Sequence, residues 1–184
     1  MRRILIGVAL VLLALPAWAQ TRDPNWTSCN GHDPDIAIGG CTALIQAGQE
    51  NTANLAIAYN NRAYAYWAEG LYDLADADLN QAIAIKPDYG LPYFNRGNHY
   101  SHRGLNDEAI LDYTHYIALV PTDPDGPYGR GVVYERTGQR DKAISDYRAT
   151  LCLDPNYKGA QDGLKRLGVT SSPSIGPGTL AAPK

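Results

Sequence analysis

The chain has 184 residues, 16 of them Lys or Arg against 19 Asp or Glu, for a formal net charge of −3, and it carries 3 Cys. That length fits a single domain. The acidic balance argues against a nucleic-acid or anionic-membrane surface, because both require a concentrated basic face.

Residues 1–19 read as an export signal. Arg2 and Arg3 form the positive start, Ile4 to Leu15 the apolar stretch, and Ala17-Trp18-Ala19 a small-x-small cleavage site before Gln20. The apolar run is 12 residues, too short to cross a hydrocarbon core of about 30 Å. The alternative is a retained anchor; the cleavage site argues for removal. Cleavage takes away two of the 16 basic residues and no acid, leaving 14 against 19 and a net charge of −5. The expected location is periplasmic or secreted.

Residues 20–55 precede the regular part of the chain and read as an N-terminal cap segment. Cys29 and Cys41 lie close together there, and in an oxidising compartment they are expected to form a disulfide. The alternative is two buried free thiols. Asn25-Trp26-Thr27 is an acceptor pattern for glycosylation. Asp33-Pro34 is a helix start, and Asp35 to Ile45 continues it. Cys152, in Leu151-Cys152-Leu153, reads as a small core residue.

From Ala56 the sequence repeats three times at a spacing of 34 residues, over 56–89, 90–123 and 124–157. Gly70, Gly104 and Gly138 share one position. So do Tyr66, Tyr100 and Tyr134; Ala75, Ala109 and Ala143; and Pro87, Pro121 and Pro155. A fixed period of this length implies a stacked solenoid of helix pairs. In the second copy the pattern predicts helices over Tyr93–Arg103 and Asn106–Val120. Gly104 ends the first with a left-handed residue, and Pro121 stops the second by lacking an amide proton. The third copy begins Pro124-Asp125-Gly126-Pro127, so its first helix is expected to start late, near Pro127 or Tyr128.

Small residues at the eighth position (Ala63, Gly97, Gly131) and the twentieth (Ala75, Ala109, Ala143) let the paired helices approach. Arg recurs at the seventh position and Asp at the twenty-third, giving Arg62 and Asp78, Arg96 and Asp112, Arg130 and Asp146. Because the two recur in step, an ion pair within each repeat is expected. The alternative is a row of Arg that binds an anionic partner. Residues 158–168 read as a polar capping helix, and 169–184, rich in Ser, Pro, Gly and Ala, as a disordered tail.

These residues resemble the tetratricopeptide repeat. Its pattern W-x2-L-G-x2-Y, A-x3-F, P reads here as Tyr93-x2-Arg96-Gly97-x2-Tyr100, Ala109-x3-Tyr113 and Pro121, with like readings in the flanking copies. The resemblance implies an all-α fold: a right-handed α-solenoid of three helix pairs, with an N-terminal half-repeat and a C-terminal capping helix. In that frame Ala37 and Cys41 match Ala75 and Leu79 at a spacing of 38, so a four-residue insertion lies near Gln49 to Asn54. One departure is Tyr116, where the family keeps a small residue; it is expected to open the packing between the second and third repeats.

The resemblance also implies a concave groove lined by the first helices. Carried over position by position, its peptide-binding candidates are Asn60, Tyr64, Trp67, Phe94, Asn95, Asn98, His102, Tyr128 and Arg136. Ile57, Asn61, Ala68, Leu91, Ser101, Asp125, Gly129, Val132 and Glu135 flank them. Aromatics interleaved with Asn suit an extended peptide; some of the rings, Tyr64 and Phe94 first, could instead be core, while Trp67 and Tyr128 are expected to be exposed. A carboxylate clamp used by part of the family, Lys/Asn/Asn/Lys/Arg, is matched only by Asn95; Asn60, Tyr64, Asp125 and Gly129 stand at the others.

No HExxH, Walker, GxSxG or CxxC motif occurs. His99 and His102 lie one turn apart with His115 on the next helix, and they read as ordinary polar histidines without further metal ligands. The expected function is a non-enzymatic module, without cofactor or metal, that binds a protein or peptide as an adaptor or assembly scaffold outside the cytoplasm. The alternative is a self-associating structural protein of the cell envelope.

Overall fold

The computed structural model describes residues 23–169. The expected export signal and residues 170–184 of the expected tail lie outside them. Among the described residues the chain is all-helical: α1 (Pro24–Cys29), α2 (Pro34–Ala47), α3 (Thr52–Ala68), α4 (Tyr72–Ile85), α5 (Gly90–His102), α6 (Asn106–Leu119), α7 (Asp125–Arg136), α8 (Arg140–Leu153) and α9 (Lys158–Arg166). Each helix packs on its chain neighbours, and α3, α5, α7 and α9 also touch in sequence, which makes the assembly an α-solenoid. No described helix is long and apolar enough to cross a membrane.

The turn inside each repeat is set by one glycine. Gly70, Gly104 and Gly138 have φ of 74°, 76° and 74°, a left-handed conformation that costs glycine nothing. The amides of Leu71, Leu105 and Gln139 then reach back to the carbonyls of Tyr66, Tyr100 and Tyr134 at 2.8–2.9 Å, closing the helix end.

Helix starts differ from the sequence expectation. α5 begins at Gly90 and α7 at Asp125, earlier than Tyr93 and Pro127. Pro92 and Pro127 sit in the first turn, where an amide has no intrahelical acceptor and its loss costs little. The four-residue insertion becomes an extra first turn of α3, which starts at Thr52 with the Asn51 side chain accepting from the Asn54 amide at 2.9 Å. Four residues are close to one turn of about 3.6, so the apolar face of α3 keeps its phase.

The N-terminal segment carries a stub of a first helix, α1, that the sequence pattern did not reveal. The Cys29–Cys41 disulfide joins it to α2, with Cα atoms 4.6 Å apart. Trp26, Cys29, Cys41, Leu44 and Ala58 form the buried cluster beneath it, and the Trp26 indole donates to Glu50 at 2.7 Å.

Tyr116 does not open the packing. It is buried between α5 and α7, where Gly90 and Gly126 leave room for it. A Cβ at Gly126 would lie 2.9 Å from its ring, and its hydroxyl donates to Asp123 at 2.6 Å. Tyr113 and Tyr147 repeat the arrangement. Gly97 and Gly129 flank Tyr113; Gly131 and Gly163 flank Tyr147. In the first repeat, where Leu79 replaces the Tyr, Ala63 replaces the Gly.

The Arg–Asp ladder forms as expected and does more. Each guanidinium makes two parallel hydrogen bonds to its Asp: Arg62 to Asp78, Arg96 to Asp112 and Arg130 to Asp146, all at 2.7–2.9 Å. A further nitrogen reaches the preceding helix pair, at Thr42 (3.0 Å), Asn80 (2.5 Å) and Thr114 (2.9 Å) respectively. The guanidinium of Arg96 also lies 5.9 Å from the ring centre of Tyr93 and 5.8 Å from that of Tyr100. Each of these arginines already has its own carboxylate and a neutral partner on the preceding helix pair, which favours the structural role over a row waiting for an anion.

Two further expectations are corrected. Cys152 is exposed, because the buried stripe of α8 runs through Ala143, Ile144, Tyr147 and Thr150 and position 152 falls off that stripe. Val169, placed in the tail, instead packs on the last core cluster, its amide bonded to the Leu164 carbonyl at 2.9 Å.

Candidate functional site

The first helices of the repeats bring most of the predicted binding residues into two cavities. The first, about 470 Å³, lies between the loop after α1, α3 and α5. Asn60, Tyr64 and Asn95 line it together with Asn30, His32, Asn61 and Leu91. Tyr64 is 66% exposed and offers its ring to solvent, so it is not core.

The floor of this cavity is a chain of amides. Asn95 donates to Asn60 at 2.9 Å, Asn60 to Asn61 at 3.3 Å, and Asn61 to Asn30 at 2.8 Å. Each primary amide has two donors and an acceptor with two lone pairs. The chain therefore holds the side chains in place and leaves hydrogen-bonding capacity for a guest backbone. No Asp, Glu, Lys or Arg lines the cavity.

The second cavity, about 360 Å³, is formed by α5, α6, α7 and the residue before α9. Phe94, Asn98 and Tyr128 line it with Ser101, Tyr113, Asp125, Val132 and Tyr157. Phe94 serves both roles in question, since its ring packs on Tyr113 and Tyr116 at 5.9 and 4.9 Å while facing the cavity. Tyr128, expected to be exposed, is half-buried between Tyr147 and Tyr157, 6.0 and 4.8 Å away. Burial pushes the Tyr113 phenol up to about 12. Tyr157 is also raised, by burial and then by its 2.7 Å hydrogen bond to Asp125. Both stay neutral donors at physiological pH.

Trp67, His102 and Arg136 do not join either cavity. Trp67 is half-buried rather than exposed: its ring stacks on His99 at 5.4 Å and meets His102 edge-on at 5.7 Å. Arg136 is tied to Asn106 at 2.6 Å and to Ser101 at 3.2 Å. His99 is buried, with Nδ1 3.2 Å from Asp76. Burial lowers its pKa below 6.5, the Asp76 contact opposing. His115 lies apart from this pair, on Tyr93. Among the described residues no three His, Cys, Asp or Glu gather as a metal site.

Sequence reasoning missed the loop residues Asn30 and His32, which lie outside the regular copies, and the ring of Tyr157, the last residue of the third copy, which follows both of its helices. It also missed Tyr113, a second-helix residue that reaches the groove only because Gly97 and Gly129 leave space. The recurrence of Tyr with Gly was the available signal.

The model of the tetratricopeptide repeat matches residues 56–89 and 128–157. Comparison with curated protein sequences finds no match. Among solved structures, the chain is similar to MamA, with a TM-score of 0.67 at 22% identity over 81% of this chain and 87% of that one. It is also similar to the second tetratricopeptide domain of human RPAP3 in complex with the HSP70 peptide SGPTIEEVD (TM-score 0.61, 25% identity, 64% and 98% covered). A third is the first such domain of Spaghetti (RPAP3) bound to the HSP90 peptide SRMEEVD (TM-score 0.61, 22% identity, 63% and 92% covered). Residues 56–89 and 128–157 thus match the tetratricopeptide repeat, and the chain has the fold of solved tetratricopeptide-repeat structures.

Proposed function

We propose that the protein is a non-enzymatic adaptor that binds an extended segment of a partner protein along the groove formed by α3, α5 and α7. The observation that carries this reading is the pair of cavities lined by amides and rings on successive first helices. Amides serve a guest backbone and rings cover its apolar side chains. The groove is preformed by a ladder of buried ion pairs, so binding requires little ordering of the protein. Relatives in fold bind peptides, as the RPAP3 complexes state for those proteins.

We place its work outside the cytoplasm, in the periplasm or beyond it. The export-signal reading of residues 1–19 supports this, and the Cys29–Cys41 bridge suits an oxidising compartment.

Site-specific photocrosslinking tests the reading. A photoreactive phenylalanine replaces Tyr64 in the groove or Leu111, which is exposed on α6, and adducts are mapped by mass spectrometry. The reading predicts one recurring partner segment at Tyr64 and none at Leu111. Adducts only to a second copy of the chain would support self-association instead, and equal adducts at both positions would reject the groove.

A further inference from the structure

We propose that the second cavity is a recognition pocket for a cationic side chain, Arg before Lys, on the segment bound in the groove; this rests on the groove reading above. Four rings bound the cavity: Phe94, Tyr113, Tyr128 and Tyr157. Aromatic faces attract a cation, more so when water is excluded. A carboxylate lies in the same lining. Asp125 accepts the Tyr157 hydroxyl at 2.7 Å, and Asp123 beside it accepts the Tyr116 hydroxyl at 2.6 Å.

Five carboxylates elsewhere in the stack already have a cation. Asp76, Asp78, Asp112, Asp146 and Glu135 each meet an Arg. Among the described residues, no Lys, Arg or His forms an ion pair with Asp123 or Asp125. The fold has placed one acid, Asp125, in the lining of an aromatic cavity without supplying its cation, while Asp123 beside it is held by the Tyr116 hydroxyl and the Asp125 amide.

Arg136 touches the lining at Ser101, in the last turn of α5, whereas Asp125 is the first residue of α7. Successive first helices run in the same direction, so the two charges mark opposite ends of the cavity. The guest cation belongs at the Asp125 and Tyr157 end. A planar guanidinium can stack on a ring and donate to a carboxylate at once, which favours Arg. The first cavity is lined by no Asp or Glu, so selection for a cation belongs to this end alone.

The test is selection of phage-displayed random peptides on the purified protein. Peptides whose binding falls with Tyr64→Ala, a residue outside this cavity, define groove binders. The proposal expects them to share a basic residue at one aligned position. Replacing that residue by neutral citrulline (norleucine for Lys) should weaken binding by about tenfold or more. In Asp125→Asn, which keeps an oxygen for Tyr157, the same replacement should change binding much less, with melting unchanged. Groove binders without a common basic residue, or indifferent to the replacement, overturn the cation pocket and leave the groove standing. Absence of any peptide sensitive to Tyr64→Ala overturns both.

Discussion

At the residue scale the buried charges carry the sharpest expectations. The Asp112 side chain is 2% exposed and held by Arg96. Arg96→Met leaves that carboxylate buried without its partner, which should destabilise the protein by about 3 kcal/mol in urea unfolding. Arg96→Met/Asp112→Leu should cost less than the single change, because no charge is then stranded. A single variant as stable as the parent would mean that the pair is hydrated. The pairing was legible because both partners recur in step. The third contact, to Thr42, Asn80 and Thr114, was not, since two residue types share that role and no spacing marks a hydrogen bond between repeats.

His99 makes stability depend on pH. Burial lowers its folded pKa below the ordinary 6.5, so the unfolded chain binds the proton more readily. The contribution is fully present above pH 6.5 and is lost as pH falls from there through the depressed folded value. His99→Asn should flatten that part of the stability profile. An NMR titration placing His99 above 6.5 would contradict this, and would mean that Asp76 outweighs burial.

At the element scale, helix contacts follow an exchange of volume between Tyr and Gly. Tyr116 fills the space that Gly90 and Gly126 vacate, and an added Cβ at Gly126 meets its ring and Ile117 at 2.9 Å. Gly126→Ala should therefore cost about 1–3 kcal/mol by overpacking. In the background of Tyr116→Ala the same change should cost much less, a coupling that a double-mutant cycle reads directly. Additive effects would mean that the two sites do not share the space. The period alone disclosed which helices pair. It did not disclose this compensation, because the glycines lie on a different helix from the Tyr they serve, and Tyr116 alone looked like a defect. The early starts of α5 and α7 were hidden for another reason: Pro reads as a boundary, yet in a first turn it is neutral.

At the scale of the whole molecule, the disulfide and the groove are linked. The bridge holds α1 on α2, and the loop between them supplies Asn30 and His32 to the first cavity. Closing a loop of 12 residues stabilises by about 3 kcal/mol. In a solenoid such a loss is felt mainly by neighbouring units. Cys29→Ser/Cys41→Ser should speed amide exchange in α1 and α2 and leave α5 to α8 protected. Uniform loss of protection would show instead that the stack unfolds as one unit. The solenoid itself was legible from six residue types in one register. The two cavities were legible only in part, since one draws on the cap and the other on Tyr113 and Tyr157, which no groove position predicts.

The central claim is that the concave groove holds a partner segment. Its most direct test is the affinity of the segment recovered by crosslinking, measured by fluorescence anisotropy on the parent, on Tyr64→Ala/Asn61→Ala and on Leu111→Ala. The account predicts a loss of about tenfold or more for the groove variant at unchanged melting temperature, with Leu111→Ala equal to the parent. Equal affinity for all three, or loss only with Leu111→Ala, would contradict it.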